Sequence, residues 1–377
     1  MYALVGNFGF APGPKGIGVY RYNPATAQMK WIETVFEEVN VGHQSIDEER
    51  GIIYIVNECP SQRGQTGGGG YVLALQINPQ SGRLSLLNEK PTLSQEPCYI
   101  CLDITKRYLI VSHHADFGFV TKVVKGENGY STQVIFDDTA LVLFRINDDG
   151  SLGDVCDVSV MTGEGAASPH PTARHHSVVM NPSGELIIVP DKGLEKFHTY
   201  HLDRADGKLV QLQTTVVEPG LIPRYGVFHP TLPIFYANFE KKAIVNAYQY
   251  DAAKGELELI HSVPSLVGDK AAENKAEPAD ILIHPNGKTL YVSIRGTNTI
   301  SVLDVDAAGA IALRDVIDCG GVNPRGLYIS PDTRFLFAAN MNSGNVAAFT
   351  IEPDGTVCAT GTGVKAGSPG SIRIITV

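Results

Sequence analysis

The stretch from Arg174 to Arg224 reads RHHSVVMNPSGELIIVPDKGLEKFHTYHLDRADGKLVQLQTTVVEPGLIPR and contains one complete copy of a repeated unit. The unit begins with a turn at 181–184, continues as an apolar strand that ends at Asp191, and closes with a hairpin whose turn contains Gly207. If the copies are arranged radially, the histidines that open one copy and the arginine that opens the next lie near a shared axis. The number of copies therefore decides the fold.

Seven apolar runs that end in Asn, Asp or Glu are each followed by a short turn and another apolar residue, a pattern typical of β-hairpins. Six of the turns contain a glycine, which supplies the positive φ that a tight hairpin requires. The terminal residues are spaced 46 to 69 residues apart, which is the size of one propeller blade. They are Asn23, Asn78, Asn147, Asp203, Asp251, Asp306 and Glu352.

Between the hairpins, six continuous apolar runs end in polar residues, as in Ile52–Asn57 and Phe335–Asn340. We predict that these runs are strands buried on both faces, and that the hairpins are half-exposed outer strands. The seventh copy is supplied by Tyr2–Gly6 and Ser371–Val377, which pair with each other. The sequence therefore predicts an all-β, seven-bladed β-propeller closed by its N- and C-terminal strands, with residues 1–377 in a single domain.

Composition limits the partners. The net charge of −10 and the pI near 5.6 argue against nucleic acid and anionic membranes, so we expect neither as a partner. The chain has no apolar run of about 18 residues and no basic region before an apolar one at Met1, so we expect a cytoplasmic location. The six cysteines lie mostly in apolar runs, as reduced core thiols do. The sequence does not indicate an oligomeric state.

Several segments, taken in order, resemble one known family, the seven-bladed lactonases that include bacterial propeller-type 6-phosphogluconolactonase and fungal carboxy-cis,cis-muconate cyclase. The resemblance covers nearly the whole chain. The segments that carry it are Tyr54-Ile55-Val56-Asn57-Glu58, His176-Ser177, Val189-Pro190-Asp191-Lys192-Gly193, Pro223-Arg224 with Phe228-His229-Pro230, Ala279-Asp280-Ile281 with Arg295-Gly296, and Pro324-Arg325-Gly326 with Asn340.

The resemblance implies an active site of one histidine, two arginines and one glutamate at the mouth of the central channel. The matching positions are His176, Arg224, Arg295 and Glu240. An imidazole exchanges protons near neutral pH, and two guanidinium groups bind a carboxylate or phosphate in a bidentate manner. The alternatives are a structural histidine, arginines in ion pairs between blades, and a solvated Glu240 beside Lys241 and Lys242.

A second set of residues is predicted to line the channel and contact the substrate. For most of these residues, hydrogen bonds that lock adjacent blades together are an equally good interpretation. The set consists of Arg325, Arg174, Asn57, Glu58, His113, Asp191 and Asn340.

The chain also departs from the family pattern. Lys192-Gly193-Leu194-Glu195 follows Asp191, the second apolar run ends in Ser112-His113-His114, and the insertion 117–139 has no family counterpart.

We expect no metal ion and no other cofactor. Cys98 and Cys101 have the spacing of a redox or zinc pair, but positions three apart in a strand face opposite ways. The histidines at 113, 114, 170, 175 and 176 could meet at a metal site, which is the alternative. Adjacent residues of a strand face opposite ways, which argues against that site. The glycines at 67–70 are not followed by Lys-Ser or Lys-Thr, so they do not indicate a phosphate-binding loop. No Gly-x-Ser-x-Gly segment is present, so a nucleophilic serine is not expected.

The sequence therefore favours a lactonase that acts on a small anionic sugar lactone. His176 or Glu240 would activate water, and Arg224 and Arg295 would hold the substrate and stabilise the oxyanion. One alternative is a cycloisomerase that closes a conjugated diacid to a lactone in the same pocket. A second alternative is a non-catalytic propeller that presents its loops to a protein partner.

Overall fold

The computed structural model describes residues 1–9, 15–115, 118–163, 165, 172–268 and 275–377. Thirty β-strands and no helix occur in these residues, so none of them forms a helix that could cross a membrane. Twenty-eight strands form seven four-stranded antiparallel sheets, the blades of a propeller, and two form a separate hairpin. The all-β, seven-bladed prediction is confirmed.

Blades 1 to 3 come from the first part of the chain and its last strand. Blade 1 contains β1 (Tyr2–Asn7), β2 (Gly16–Tyr22), β3 (Met29–Val35) and, from the far end of the chain, β30 (Pro369–Ile375). Blade 2 contains β4 (Val41–Asp47), β5 (Ile52–Asn57), β6 (Tyr71–Ile77) and β7 (Leu84–Pro91). Blade 3 contains β8 (Pro97–Leu102), β9 (Tyr108–His113), β12 (Thr139–Ile146) and β13 (Leu152–Met161), and the separate hairpin inserted in it is β10 (Phe119–Gly126) and β11 (Gly129–Phe136).

Blades 4 to 7 each use four consecutive strands. Blade 4 contains β14 (Val179–Met180), β15 (Ile187–Asp191), β16 (Lys196–Asp203) and β17 (Lys208–Val216). Blade 5 contains β18 (Pro223–Phe228), β19 (Ile234–Phe239), β20 (Lys242–Asp251) and β21 (Glu256–Pro264). Blade 6 contains β22 (Glu277–Ile283), β23 (Thr289–Arg295), β24 (Thr299–Val305) and β25 (Ile311–Asp318). Blade 7 contains β26 (Pro324–Ile329), β27 (Phe335–Asn340), β28 (Asn345–Ile351) and β29 (Val357–Lys365).

Blade 1 closes the ring, because β30 from the C-terminus pairs with β1 from the N-terminus. The pairing is antiparallel and aligns Tyr2 with Ile375 and Gly6 with Ser371. The predicted closure is therefore confirmed. Each blade also contains its predicted hairpin, and Gly255 shows why the turn needs glycine. Its φ is +73°, and an added Cβ would lie 2.4 Å from Thr199 Oγ1.

The hydrophobic core is divided among the seven interfaces between adjacent blades. Between blades 4 and 5, for example, Leu186 and Phe197 pack with Phe228, Phe235 and Phe239. The strands that follow the innermost ones are buried along almost their whole length, as predicted from their continuous apolar runs. Each fully buried Val, Leu, Ile or Phe contributes about 1.5–3 kcal/mol relative to an exposed one, so the ring is held mainly by these interfaces.

Two predictions about the strands differ from the structure. The first strand of each hairpin is largely buried, as in β6, and only the outermost strand is half exposed, as in β7. The third strand from the channel still lies between neighbouring blades, whereas the fourth reaches solvent. The innermost strands β4, β8, β14, β18, β22 and β26 were not predicted. They line the channel and have no continuous apolar run of the predicted kind, and β14 has only two residues.

The insertion predicted at 117–139 is a β-hairpin, formed by β10 and β11. Phe117, its first residue, lies outside the described residues, as does His170. The six cysteines are all free, as the sequence indicated, but only Cys98 and Cys319 are buried in the core.

Candidate active site

One end of the central channel collects charged side chains from five blades. In each blade the start of the innermost strand pairs with the end of the next strand, as in Pro223 with Phe239 and Glu277 with Arg295. Residues at either position are therefore carried to the same end of the channel. We call the resulting cluster the hub, and its members are Glu58, His176, Lys192, Arg224, Glu240, Arg295 and Arg325.

Glu240, which directly follows β19, is the centre of the hub. Its Oε2 lies 2.5 Å from Lys192 Nζ and 3.4 Å from Arg224 Nε, and its Oε1 lies 3.3 Å from Arg295 Nη2. These four side chains come from blades 4, 5 and 6. Arg295 also approaches Glu277, with 3.6 Å between its Nη2 and Oε2. The predicted meeting of Arg224, Glu240 and Arg295 at one site is thus present in the structure.

A second ion pair faces the hub from blades 2 and 7. Arg325 Nη2 lies 3.3 Å and 3.2 Å from the two carboxylate oxygens of Glu58. The Arg325 guanidinium also stacks on Phe8 at 4.2 Å from the ring centroid, which fixes its plane. Burial raises the pKa of the Glu58 carboxyl, although Arg325 and Arg224 act in the opposite direction.

Arg224 is the most buried basic side chain of the hub, at 1% exposure. Its guanidinium lies over the ring of Tyr225, 4.6 Å from the centroid, and its Nη1 donates to the carbonyl of Ala279. Ser177 Oγ donates to the Arg224 carbonyl at 3.1 Å, which ties blade 4 to blade 5. The cation is therefore fixed in position before any substrate arrives, as an electrostatic site requires.

His176 faces the same cluster from the loop before β14 and is 5% exposed. Its ring contacts His114 and Tyr225 edge-on, with centroids 5.1 Å and 5.3 Å away. Its Nδ1 is buried and has no hydrogen-bond partner. Burial, reinforced by the charges of Arg224 and Lys192, holds the pKa of His176 well below its ordinary value, so the ring is neutral at pH 7.

The charged side chains of the hub shift one another's pKa values. Burial raises the pKa of the Glu240 carboxyl, but Lys192, Arg224 and Arg295 outweigh that effect and hold it well below the ordinary value. Burial lowers the pKa of Lys192 to about 8, against the opposing effect of Glu240. Glu240 is consequently a stable carboxylate that keeps three cations close together.

Three aromatic rings in contact with one another lie next to the hub. Tyr225 contacts Tyr99 edge-on at 5.2 Å, and Tyr99 stacks on His43 at 3.6 Å with an interplanar angle of 16°. We call His43, Tyr99 and Tyr225 the aromatic layer. Tyr225 contacts Arg224 and His176 of the hub, and all three rings also line a cavity further along the channel.

The other predicted contact residues lie near the hub, but their polar atoms bond to backbone. Asn57 Oδ1 accepts from Asn40 N at 2.8 Å, and Asn340 Nδ2 donates to the Cys319 carbonyl at 3.0 Å. His113 Nδ1 lies 2.7 Å from the Ala140 carbonyl oxygen. These bonds tie each strand to the loop that enters its own blade or to the neighbouring strand, so we propose no substrate role for the three residues.

Asp191 and Arg174 belong to one such connection in blade 4. Asp191 Oδ1 accepts from the backbone amides of Arg174, Gly193 and Leu194 at 2.8, 2.9 and 2.9 Å. Arg174 Nη1 donates to the carbonyl oxygens of Ala115 at 3.2 Å and His114 at 3.4 Å. We propose no substrate role for either residue.

Three residues near the hub were not among the predicted site residues: Lys192, Tyr225 and His114. Lys192 and His114 occupy positions where the sequence departs from the family pattern, directly after strand ends that point to the channel. That departure, at a position equivalent to Glu240, was the signal that could have identified Lys192. Tyr225 follows Arg224 in an apolar context, and no sequence signal marked it.

Comparisons with known proteins identify the family of the chain. The family model of the seven-bladed β-propeller lactonases matches residues 3–374. The 6-phosphogluconolactonase of Bacillus subtilis is 26% identical over 82% of this chain and 80% of its own length. The 6-phosphogluconolactonase of Formosa agariphila is 24% identical over 92% of this chain and 91% of its own length.

Among solved structures, the periplasmic gluconolactonase of Pseudomonas aeruginosa superimposes with a TM-score of 0.82. It is 24% identical and covers 100% of this chain and 99% of its own, which is a likeness of fold. The family model spans nearly the whole propeller, including every blade that contributes to the hub. The chain therefore belongs to the family of seven-bladed β-propeller lactonases.

Proposed function

We propose that this chain hydrolyses the lactone of an anionic sugar acid at the hub, with 6-phosphogluconolactone as the first substrate to test. As a member of the lactonase family, the chain is a lactone hydrolase, and the substrate class is the part proposed here. The observation that carries the proposal is the convergence of Lys192, Arg224 and Arg295 on one carboxylate, Glu240.

The charge of the hub supports an anionic substrate. Four basic side chains meet only two carboxylates within the cluster, although the chain as a whole has a net charge of −10. Four of these charged residues, Lys192, Glu240, Arg295 and Arg325, keep 12–15% of their side chains exposed, so a ligand can reach them. Guanidinium groups bind phosphate and carboxylate oxygens in bidentate pairs, which suits a phosphorylated sugar acid.

Ring opening needs a water molecule to lose a proton, attack the lactone carbonyl carbon and displace the ring oxygen as an alkoxide. We assign the proton transfers to His176, which would take the proton from water and return it to the leaving alkoxide. Glu240 is the weaker candidate for the base, because three adjacent cations stabilise its ionised form. Arg224 and Arg295 would stabilise the negative charge that develops on the carbonyl oxygen.

The test is hydrolysis of 6-phosphogluconolactone and of unphosphorylated gluconolactone, each corrected for the uncatalysed rate. Wild type is expected to favour the phosphorylated lactone, and His176→Ala is expected to lose kcat/KM while keeping its Tm near that of wild type. His201→Ala, an exposed histidine in the same blade, is the matched control and should behave as wild type.

The proposal is wrong if His176→Ala and Arg224→Ala both retain full activity on the lactones. Turnover of carboxymuconate in place of either sugar lactone would instead indicate the cycloisomerase reaction.

A further inference from the structure

Blade 4 contains a second cluster of ionisable side chains, His175, Asp191 and His198, that the proposed reaction does not use. His175 pairs with Asp191 across an isolated β-bridge, and His198 pairs with Val189, two residues before Asp191. Because side chains two apart in a strand share a face, the three groups lie together on one face of the blade. Thr214 is the partner of His198 on the outer strand and extends the row.

The cluster is buried in an otherwise apolar interface. His175 and Asp191 are 0% exposed and His198 is 2% exposed. Neighbouring positions of the same interface are filled by Val189, Tyr200 and other apolar residues. Both ring nitrogens of His175 are buried without a hydrogen-bond partner. An unsatisfied buried polar group costs about 1–3 kcal/mol, so the ring requires a partner.

The donor atoms are already oriented towards one point. Asp191 Oδ1 is occupied by three backbone amides, which leaves Oδ2 to face the histidines. His198 Nε2 lies 3.3 Å and His175 Nε2 lies 3.8 Å from Asp191 Oδ2. His198 Nδ1 lies 3.1 Å from Thr214 Oγ1, so its other nitrogen is directed at the carboxylate. A ligand histidine whose second nitrogen is hydrogen-bonded is the usual arrangement at a metal centre.

We propose that His175, Asp191 and His198 bind a divalent transition metal ion, with Zn²⁺ as the best match. Their ligand atoms all lie within 4.8 Å of one another. A tetrahedral ion with bonds of about 2.1 Å holds its ligand atoms about 3.4 Å apart, which matches the present spacing after small side-chain shifts. Two imidazoles and one carboxylate suit zinc better than calcium or magnesium, which prefer oxygen ligands. A water molecule would supply the fourth ligand.

The position of this site gives the ion a structural role beside the hub. His175 directly precedes His176, and Asp191 directly precedes Lys192. An ion bound to both residues holds together the two chain segments that bring His176 and Lys192 to the channel. This proposal differs from the expectation of no metal ion drawn from the sequence, and it shares only His175 with the histidines considered there as an alternative metal site.

The experiment uses untagged protein treated with a chelator and then titrated with Co²⁺, followed by its visible absorption, and with Zn²⁺, followed by elemental analysis and Tm. Wild type is expected to bind about one ion per chain, to show the intense absorption of tetrahedral Co²⁺, and to gain Tm when Zn²⁺ is added. His198→Ala is expected to lose all three responses. His201→Ala, with an exposed histidine on the same strand, should keep them.

Failure of wild type to bind a stoichiometric ion overturns the proposal, and this result does not depend on any variant folding. Equal Co²⁺ binding by wild type and His198→Ala also overturns it, because the ion would then be bound elsewhere. Lactonase activity that persists in the metal-free protein leaves the site in place as structural, since its readouts are absorption and Tm. Loss of activity in His176→Ala with Co²⁺ binding intact separates this site from the proposed function.

Discussion

The two ends of the central channel differ in how many charged side chains meet there. The end beyond the aromatic layer holds a cavity of about 530 Å³, lined by the later residues of the innermost strands. Its charged groups are few and separately engaged: Arg373 Nη2 lies 3.0 Å from His43 Nε2, and Asp280 accepts from Leu327 N at 2.8 Å. At the hub, in contrast, six charged side chains from five blades converge. The contrast teaches that convergent charge, and not cavity volume, marks the candidate active site.

The largest expected effect comes from replacing the buried histidine of the hub, and the buried histidine at the other end provides the comparison. His176→Ala should reduce kcat/KM for 6-phosphogluconolactone by about 10²–10⁴, because general acid–base catalysis contributes that much. His43→Ala should change kcat/KM by less than about threefold, since His43 reaches His176 only through Tyr99 and Tyr225. Steady-state kinetics of the two variants measures the difference. Equal losses in both would remove the functional distinction between the ends.

A similar comparison applies to the arginines. Arg295→Ala should lower kcat by about 10²–10³, the usual effect of removing a group that stabilises an oxyanion. Arg373→Ala, which removes a guanidinium on the other side of the aromatic layer, should leave kcat near the wild-type value. A larger loss in Arg373→Ala than in Arg295→Ala would place the reaction in the cavity beyond the aromatic layer.

Two carboxyl groups, Glu240 in the hub and Asp280 at the other end, should make stability depend on pH with opposite signs. The folded pKa of Glu240 is depressed, so its stabilising contribution is present above the unfolded pKa and is lost as pH falls through the folded pKa. Burial raises the folded pKa of Asp280, so its ionisation costs stability above that pKa and the cost disappears in acid.

These signs are tested with Glu240→Gln and Asp280→Asn. Glu240→Gln should cost about 3 kcal/mol at pH 7, because it leaves buried cations without their partner, and less at pH 4. The Tm of Asp280→Asn relative to wild type should instead fall as the pH is lowered from 7 to 4. Thermal unfolding at both pH values measures the two differences. Slopes of the same sign would contradict the assignment.

The smallest expected effect concerns the hydrogen-bonded strand ends around the hub, whose replacement should change stability and leave catalysis unchanged. Asn340→Ala loses the bond to the Cys319 carbonyl and should cost about 1 kcal/mol of folding stability. Its kcat and KM should remain those of wild type, because no substrate role is proposed for this side chain. Thermal unfolding and steady-state kinetics of the same preparation check both values. A changed KM would place Asn340 in the substrate pocket.

The sequence predicted the fold well because turn glycines and apolar runs mark the repeat along the chain. The same periodicity made the closing pair of β1 and β30 visible as the missing copy. The innermost strands escaped prediction because they line the channel and have no regular apolar pattern, and β14 has only two residues. Local patterns thus identified the strands between blades and not the strands around the axis.

For the site, the residues that break the repeat were the informative ones. Arg224, Glu240 and Arg295 were matched by resemblance, and the structure brings them into contact. Asn57, Asp191 and Asn340 recur at equivalent strand ends, and that recurrence indicates a role in building each blade. Lys192 was missed because its partner, Glu240, is 48 residues away in sequence and their contact depends on the packing of two blades.

The pairing of β1 with β30 also sets the order of events when the protein is made. The ribosome releases β1 first and β30 last, and at roughly 5–20 residues per second the interval between them is on the order of tens of seconds. During that time the nascent chain presents an unpaired strand edge, which is a site for association with other chains. A chaperone that covers the emerging N-terminal strand would therefore raise the yield of closed rings.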